Sequence, residues 1–196
     1  MENKWKRSGG KNVPEERKSE GVPYLSFPIL EETGMVKQGF STREGGVSLG
    51  KFSTMNFTFT RGDNPDHVLE NYRRMAAALG VDMEKMVLAY QRHTANVRLV
   101  TEEDGGKGIT KKRDYTNVDG LITNVPGITL VTFYADCVPL YFLDPVKKAV
   151  GLSHSGWRGT VKRMGEVTVK RMEEEFGTSP SDLIACIGPS ICQNCY

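Results

Sequence analysis

Three side chains in this chain of 196 residues are of types that bind metals and do chemistry. They are His93 in Gln91-Arg92-His93, Cys137 in Ala135-Asp136-Cys137-Val138-Pro139, and His154 in His154-Ser155-Gly156-Trp157-Arg158-Gly159. Two imidazoles and one thiolate are the donor set zinc takes when its fourth position stays open to water or substrate. Asp136 beside Cys137 points the same way, because a neighbouring carboxylate raises a thiol's pKa unless a cation offsets it. Gly156 and Gly159 bracket Trp157-Arg158 where a strand is expected to give way to a helix. Backbone N–H groups and the Arg158 fork at such a junction suit an anion such as phosphate. Taken singly, a histidine is more often an ordinary surface or core residue, and a buried cysteine a small hydrophobe. Three such residues at strand ends make an enzyme the better reading.

The elements that must position them read as a mixed α/β domain. Strands are expected at 24–30, 35–40, 87–90, 97–100, 121–123, 128–134, 149–153 and 183–187. In this reading His93 and Cys137 follow strands, Cys137 at the end of the apolar run 128–135, and 149–153 delivers His154. The short stretch from Cys137 to His154 lets two strand ends meet. Asn64-Pro65-Asp66 supplies a cap, a first-turn proline and a first-turn acid, and predicts a helix running to Gly80. His67 falls in that first turn and has no assigned role. A second amphipathic helix is expected over 160–176, with Val161, Met164, Thr168, Met172 and Phe176 on one face. Residues 1–22 look like a disordered arm, and 23–196 like one layered mixed-sheet α/β domain.

Composition narrows the partners. The net charge of +2, from 26 basic and 24 acidic residues, gives no electrostatic reason to expect nucleic acid or a membrane surface. No apolar run approaches the roughly 18 residues of a membrane span. No secretory signal opens the chain, so a cytoplasmic, reduced protein is expected. Cys192-Gln193-Asn194-Cys195 is a C-x-x-C pair with two readings, a redox couple or half of a zinc knuckle. Phosphate-loop, dinucleotide and nucleophile-elbow signatures are missing from the sequence.

Several segments in order resemble one family: Phe40-Ser41-Thr42-Arg43, Gly45-Gly46-Val47-Ser48, Asn64-Pro65, Gln91-Arg92-His93, Asp119-Gly120-Leu121, Ala135-Asp136-Cys137-Val138-Pro139, His154-Ser155-Gly156-Trp157-Arg158-Gly159-Thr160 and Ile187-Gly188-Pro189-Ser190-Ile191. This is the laccase-domain family, described both as multicopper polyphenol oxidoreductase and as purine nucleoside phosphorylase. The resemblance covers residues 36–196 and implies a layered α/β fold, similar also to bacterial toxin deamidases with a Cys–His pair. It implies one zinc ion held by His93, Cys137 and His154. The activities it implies are phosphorolysis of adenosine, inosine, guanosine and methylthioadenosine, and deamination of adenosine. Arg43 and Arg158 match family positions and are expected to contact substrate or phosphate, while Asp136 is the expected proton shuttle. The family's Gln-Val-His-Gly reads Gln91-Arg92-His93-Thr94 here, and the chain is expected to lack the family's C-terminal end.

Two other readings use the same residues. Copper also takes two histidines and a cysteine, as in a phenol oxidase, yet three histidines in all are too few for a multicopper site. Without metal, Cys137 would be a nucleophile and His154 its base, as in a cysteine hydrolase or deamidase.

Overall fold

A computed structural model describes residues 13–196. Contacts divide the chain after Gly80 into two units, the first with one sheet and the second with two.

In the first unit, β1 (Glu15–Ser19), β2 (Val22–Ser26) and β3 (Phe40–Ser41) form an antiparallel sheet in that order. The disordered arm expected over 1–22 therefore does not hold for 15–22, where β1 pairs with β2 through Glu15↔Ser26 to Ser19↔Val22; residues 1–12 lie outside the described ones. The strand expected over 24–30 stops at Ser26, because Pro28 fits the first turn of the short helix α1 (Pro28–Glu31). Helix α2 (Pro65–Leu79) has the ends its sequence prescribes. Asn64 accepts a hydrogen bond from the Asp66 N–H, and Gly80 closes the last turn in the left-handed region. Its inner face joins Met75 and Ala78 to Val22 and Met55.

One α2 residue also organises the loop between β3 and the helix. Asn71, with no exposure, accepts from the Val47 N–H at 2.8 Å and donates to Ser48 Oγ at 2.9 Å and to the Asn56 carbonyl at 2.7 Å. Gly46 is required in this loop, since a Cβ there would stand 2.1 Å from the Thr54 carbonyl oxygen.

The second unit contains β4 (Met86–Leu88), β5 (Val97–Leu99), β6 (Gly120–Thr123), β7 (Thr129–Val131), β8 (Val138–Asp144), β9 (Ala149–Ser155), helices α3 (Trp157–Val161) and α4 (Met164–Phe176), and β10 (Ile184–Ile187). Five strands form a mixed sheet in the order β10-β8-β9-β6-β5, while β4 and β7 pair in parallel. Val87, Ala89, Val100, Val118 and Leu121 join the two sheets, with Ile128 and Leu130 packed against them. Helix α4 covers the larger sheet, packing Met172 on Ile122, Phe142 and Ala149. Among the described residues no helix is long and apolar enough to cross a membrane.

Three differences from the sequence reading bear on the site. The buried strand expected over 128–134 shrinks to the half-buried β7, so Cys137 leaves a loop and enters β8 instead of ending a strand. Strand β8 escapes a sequence reading because Pro139 argues against a central strand. Strand β9 continues through Ser155, which places His154 within it, opposite Pro139. The helix expected over 160–176 is broken as well. Arg163 adopts φ 59° and turns the chain between α3 and α4, so Val161 is 74% exposed while Met164, Thr168 and Met172 are buried.

Replacing Asn71 with Ala leaves the Val47 N–H and the Asn56 carbonyl without their buried partner. Urea unfolding of Asn71→Ala should show a loss of about 2–4 kcal/mol. A second prediction concerns acid. Asp104 accepts from Arg98 at 2.9 Å, Lys107 at 2.8 Å and the Thr101 N–H at 2.9 Å. Burial opposes its charge, but these donors outweigh burial and lower its pKa from 3.8 to about 2. A depressed carboxyl stabilises the fold fully above its unfolded pKa and loses that contribution as pH falls through the folded value. Asp104→Asn should therefore be less stable at pH 7, with a shallower decline in stability between pH 4 and 2 than the parent.

Candidate metal centre

His93, Cys137 and His154 come together: one donor atom from each lies within 4.8 Å of the others. Cys137 Sγ is 3.9 Å from His93 Nε2, and the two imidazoles meet edge to face with centroids 5.0 Å apart. Ligand atoms around a tetrahedral zinc stand about 3.5 Å apart, so small side-chain adjustments would let all three reach one ion. His93 is exposed, Cys137 half-buried and His154 buried, which leaves one side open.

The local structure explains the convergence. The β8–β9 register runs from Val138↔Ser155 to Asp144↔Ala149, and extending it by one pair sets Cys137 opposite Gly156. A Cβ at Gly156 would stand 2.9 Å from both Cys137 Sγ and His93 Cδ2; only glycine leaves the cluster room. Gln91 fixes the next approach. Its side-chain amide donates to the Phe133 carbonyl at 2.6 Å and accepts the Phe133 N–H at 2.7 Å. It thus continues the pairing of β4 with β7 by a side chain and aligns the loops carrying His93 and Cys137.

Asp119, immediately before β6, joins the remaining pieces. Its carboxylate accepts the backbone N–H groups of Arg92 at 3.0 Å, His93 at 2.9 Å and Thr94 at 2.9 Å, and the Thr94 hydroxyl at 2.7 Å. Oδ1 also meets His154 Nδ1 at 2.9 Å, and the Asp119 carbonyl accepts the His154 N–H at 2.7 Å. Successive N–H groups wrapped around one anion account for the left-handed backbone of His93, φ 60°. With Nδ1–H directed at the carboxylate, His154 turns Nε2 to the cluster, the arrangement that orients metal-binding histidines. Burial opposes the charge of Asp119, but the His154 ring, the backbone N–H groups and Thr94 hold its carboxyl well below the usual range. Tyr134 stacks obliquely on the His154 ring at 5.8 Å and donates its hydroxyl to the Ser153 carbonyl. Cys137 is shifted the other way: burial pushes its thiol up, and the charges of Asp136 and Asp119 add to the shift.

The remaining expected residues have other surroundings. Asp136 is exposed, with φ 81°, and acts on Cys137 through its charge. Arg158 is exposed on α3, its guanidinium 4.9 Å from the Trp157 ring. Arg43, in the first unit, is exposed and donates to the Ser53 carbonyl at 3.4 Å. Asp119, Gln91 and Tyr134 carry no role in the sequence reading. A signal existed for Asp119, an acid opening the Asp119-Gly120-Leu121 segment, but its partners are far away in sequence.

With this geometry in place, the kinship of the chain can be stated. Residues 37–196 match the family described as multi-copper polyphenol oxidoreductase laccase. The chain belongs to this laccase-domain family. It is 42% identical over 162 residues to the purine nucleoside phosphorylase YlmD of Bacillus subtilis (strain 168), covering 81% of this chain and 57% of that protein. It is 34% identical over 161 residues to the adenosine deaminase RL5 of an unknown prokaryotic organism, covering 81% and 61%. The crystal structure of YlmD from Geobacillus stearothermophilus shares the fold, with a TM-score of 0.81 at 34% identity, over 93% of this chain and 66% of that one. The chain thus spans less than two thirds of the length of these relatives. The layered α/β fold expected from the family resemblance is the one observed.

If Asp119 organises two of the three donors, Asp119→Asn should weaken zinc binding roughly 10- to 100-fold, measured by competition with a chromogenic chelator. Unchanged affinity would show that the histidines need no such support.

Proposed function

We propose that the protein is a zinc-dependent purine nucleoside phosphorylase that also deaminates adenosine. The observation that carries this reading is the convergence of His93, Cys137 and His154 within 4.8 Å. It is supported by relatives named purine nucleoside phosphorylase and adenosine deaminase. The substrates are adenosine, inosine, guanosine and methylthioadenosine, split by phosphate into a base and a pentose 1-phosphate.

The donor set fits zinc: a soft sulfur, two imidazoles, one of them backed by a carboxylate, and an open side. When bound there, zinc supplies a Lewis acid that brings the pKa of water towards about 7. The chain's own residues have separate tasks in this proposal. Asp119 is saturated by its donors and held ionised, so it orients His154 and does not exchange protons. Proton transfer falls to Asp136, the exposed carboxylate next to Cys137. Arg158 orients phosphate by its planar fork. A phosphate contact from Arg43 rests on the family motif alone.

Copper chemistry is less favoured. The third histidine, His67, lies in α2, and among the described residues the metal-type cluster is this single trio. A metal-free hydrolase draws support from the Asp119–His154 pair, which would orient a base beside Cys137. The raised thiol pKa of Cys137 works against a free thiolate.

The test is metal analysis of the purified chain together with assays on adenosine, with and without phosphate. About one zinc per chain is expected, with adenine formed only with phosphate and inosine formed without it. Cys137→Ala should lose the zinc and at least about 100-fold of both activities. Zinc content and turnover surviving in Cys137→Ala would overturn the proposal. Turnover without metal that still required Cys137 would transfer the assignment to the hydrolase.

A further inference from the structure

Of the four cysteines, two are accounted for. Cys137 belongs to the metal cluster, and Cys186 is buried in β10 with its thiol pushed up to about 11 by burial. Cys192 and Cys195 are different: both are exposed free thiols. They sit on one tight turn, closed by the Cys195 N–H on the Cys192 carbonyl at 3.0 Å, and their sulfurs are 3.0 Å apart.

The segment leading into this turn lies along the Cys137 loop. The Gly188 N–H donates to the Pro139 carbonyl and the Ile191 N–H to the Asp136 carbonyl, each at 2.9 Å. Gly188 permits the close approach, because a Cβ there would stand 2.8 Å from Pro139 Cγ. Residues 188–191 therefore strap the backbone on both sides of Cys137, and the dithiol begins one residue after the strap.

We propose that Cys192 and Cys195 form a thiol–disulfide exchange couple for low-molecular-weight disulfides of the glutathione class, and that closing it stiffens the strap on the Cys137 loop. Cys192 is the attacking sulfur. Its thiolate displaces one thiolate from the small disulfide and forms a mixed disulfide. Cys195 then loses its proton and attacks Cys192 Sγ, expelling the second thiolate. Two protein thiols are oxidised, and one small disulfide is reduced to two thiols. The assignment of roles agrees with the electrostatics: the Cys195 thiol, and then the Asn194 N–H, draw the Cys192 pKa down, while the same contact raises Cys195. A lowered first thiol and a raised resolving thiol are the usual asymmetry of such couples.

The test uses the 196-residue chain without metal, equilibrated with oxidised glutathione, acid-quenched, alkylated and mapped by peptide mass. The expected result is one disulfide, Cys192 to Cys195, with Cys137 and Cys186 still alkylated. Cys195→Ser should trap one glutathione on Cys192 and Cys192→Ser one on Cys195, with no internal disulfide in either variant. A glutathione adduct persisting on either cysteine of the parent chain, or oxidation falling on Cys137 or Cys186, would overturn the couple. For the strap, iodoacetamide should modify Cys137 more slowly in the oxidised chain than in the reduced one. The double variant Cys192→Ser/Cys195→Ser should show no such response to oxidant. Equal rates in the parent chain would overturn the strap. Neither readout uses bound metal or turnover, so failure here is distinguishable from failure of the zinc reading.

Discussion

A carboxylate withdrawn from solvent keeps its charge only if protein groups replace the water, and that constraint shapes the site around Asp119. Five donors do so: three consecutive N–H groups, a hydroxyl and an imidazole. Satisfying the anion forces the backbone of His93 into the left-handed region and fixes the ring orientation of His154. One buried charge thus sets the geometry of two candidate ligands that are far apart in sequence. Losing it would leave the buried His154 ring and several half-buried donors unpaired, which is costlier than losing one contact.

The third candidate ligand is set by a different constraint, the register of a hairpin. Pairing of β8 with β9 has a period of two, so a slip of one residue would turn Cys137 away from His154. Asp144 stabilises the turn of this hairpin by accepting the N–H groups of Val146 and Lys147. Gly156, at the far end, leaves space where the two strands would otherwise close on the cluster. Gln91 completes the arrangement by pairing with Phe133 where β4 and β7 have ended. A hairpin, a side chain acting as a strand and a buried anion all grip the backbone, so the candidate donors are positioned by hydrogen bonds.

Left-handed backbone at non-glycine residues is uncommon and costs energy. Two of the six such residues among the described ones, His93 and Asp136, lie at the cluster. Each is held by a specific partner, Asp119 for His93 and the Ile191 N–H for Asp136. The second hold ties the loop of the candidate ligand Cys137 to the C-terminal turn that carries Cys192 and Cys195.

The types and order of the donors, the α/β class and the ends of α2 were legible in the sequence, because residue chemistry, caps and periodicity are local properties. Asn64 and Gly80 act on neighbours within one turn, and nothing distant overrides them. The strand limits around the site were less legible. Pro139 hid β8, the run 128–134 looked more buried than it is, and the break at Arg163 hides inside a continuous helical pattern. Asp119 was visible as a motif residue but not as an organiser, because its partners lie 25 to 35 residues away. Which carboxylate supports the histidines, which glycine yields space to the thiol, and which backbone groups strap Cys137 were decided by strand register and burial. Both are properties of the folded chain, since a buried charge acquires its partners only when distant segments have met.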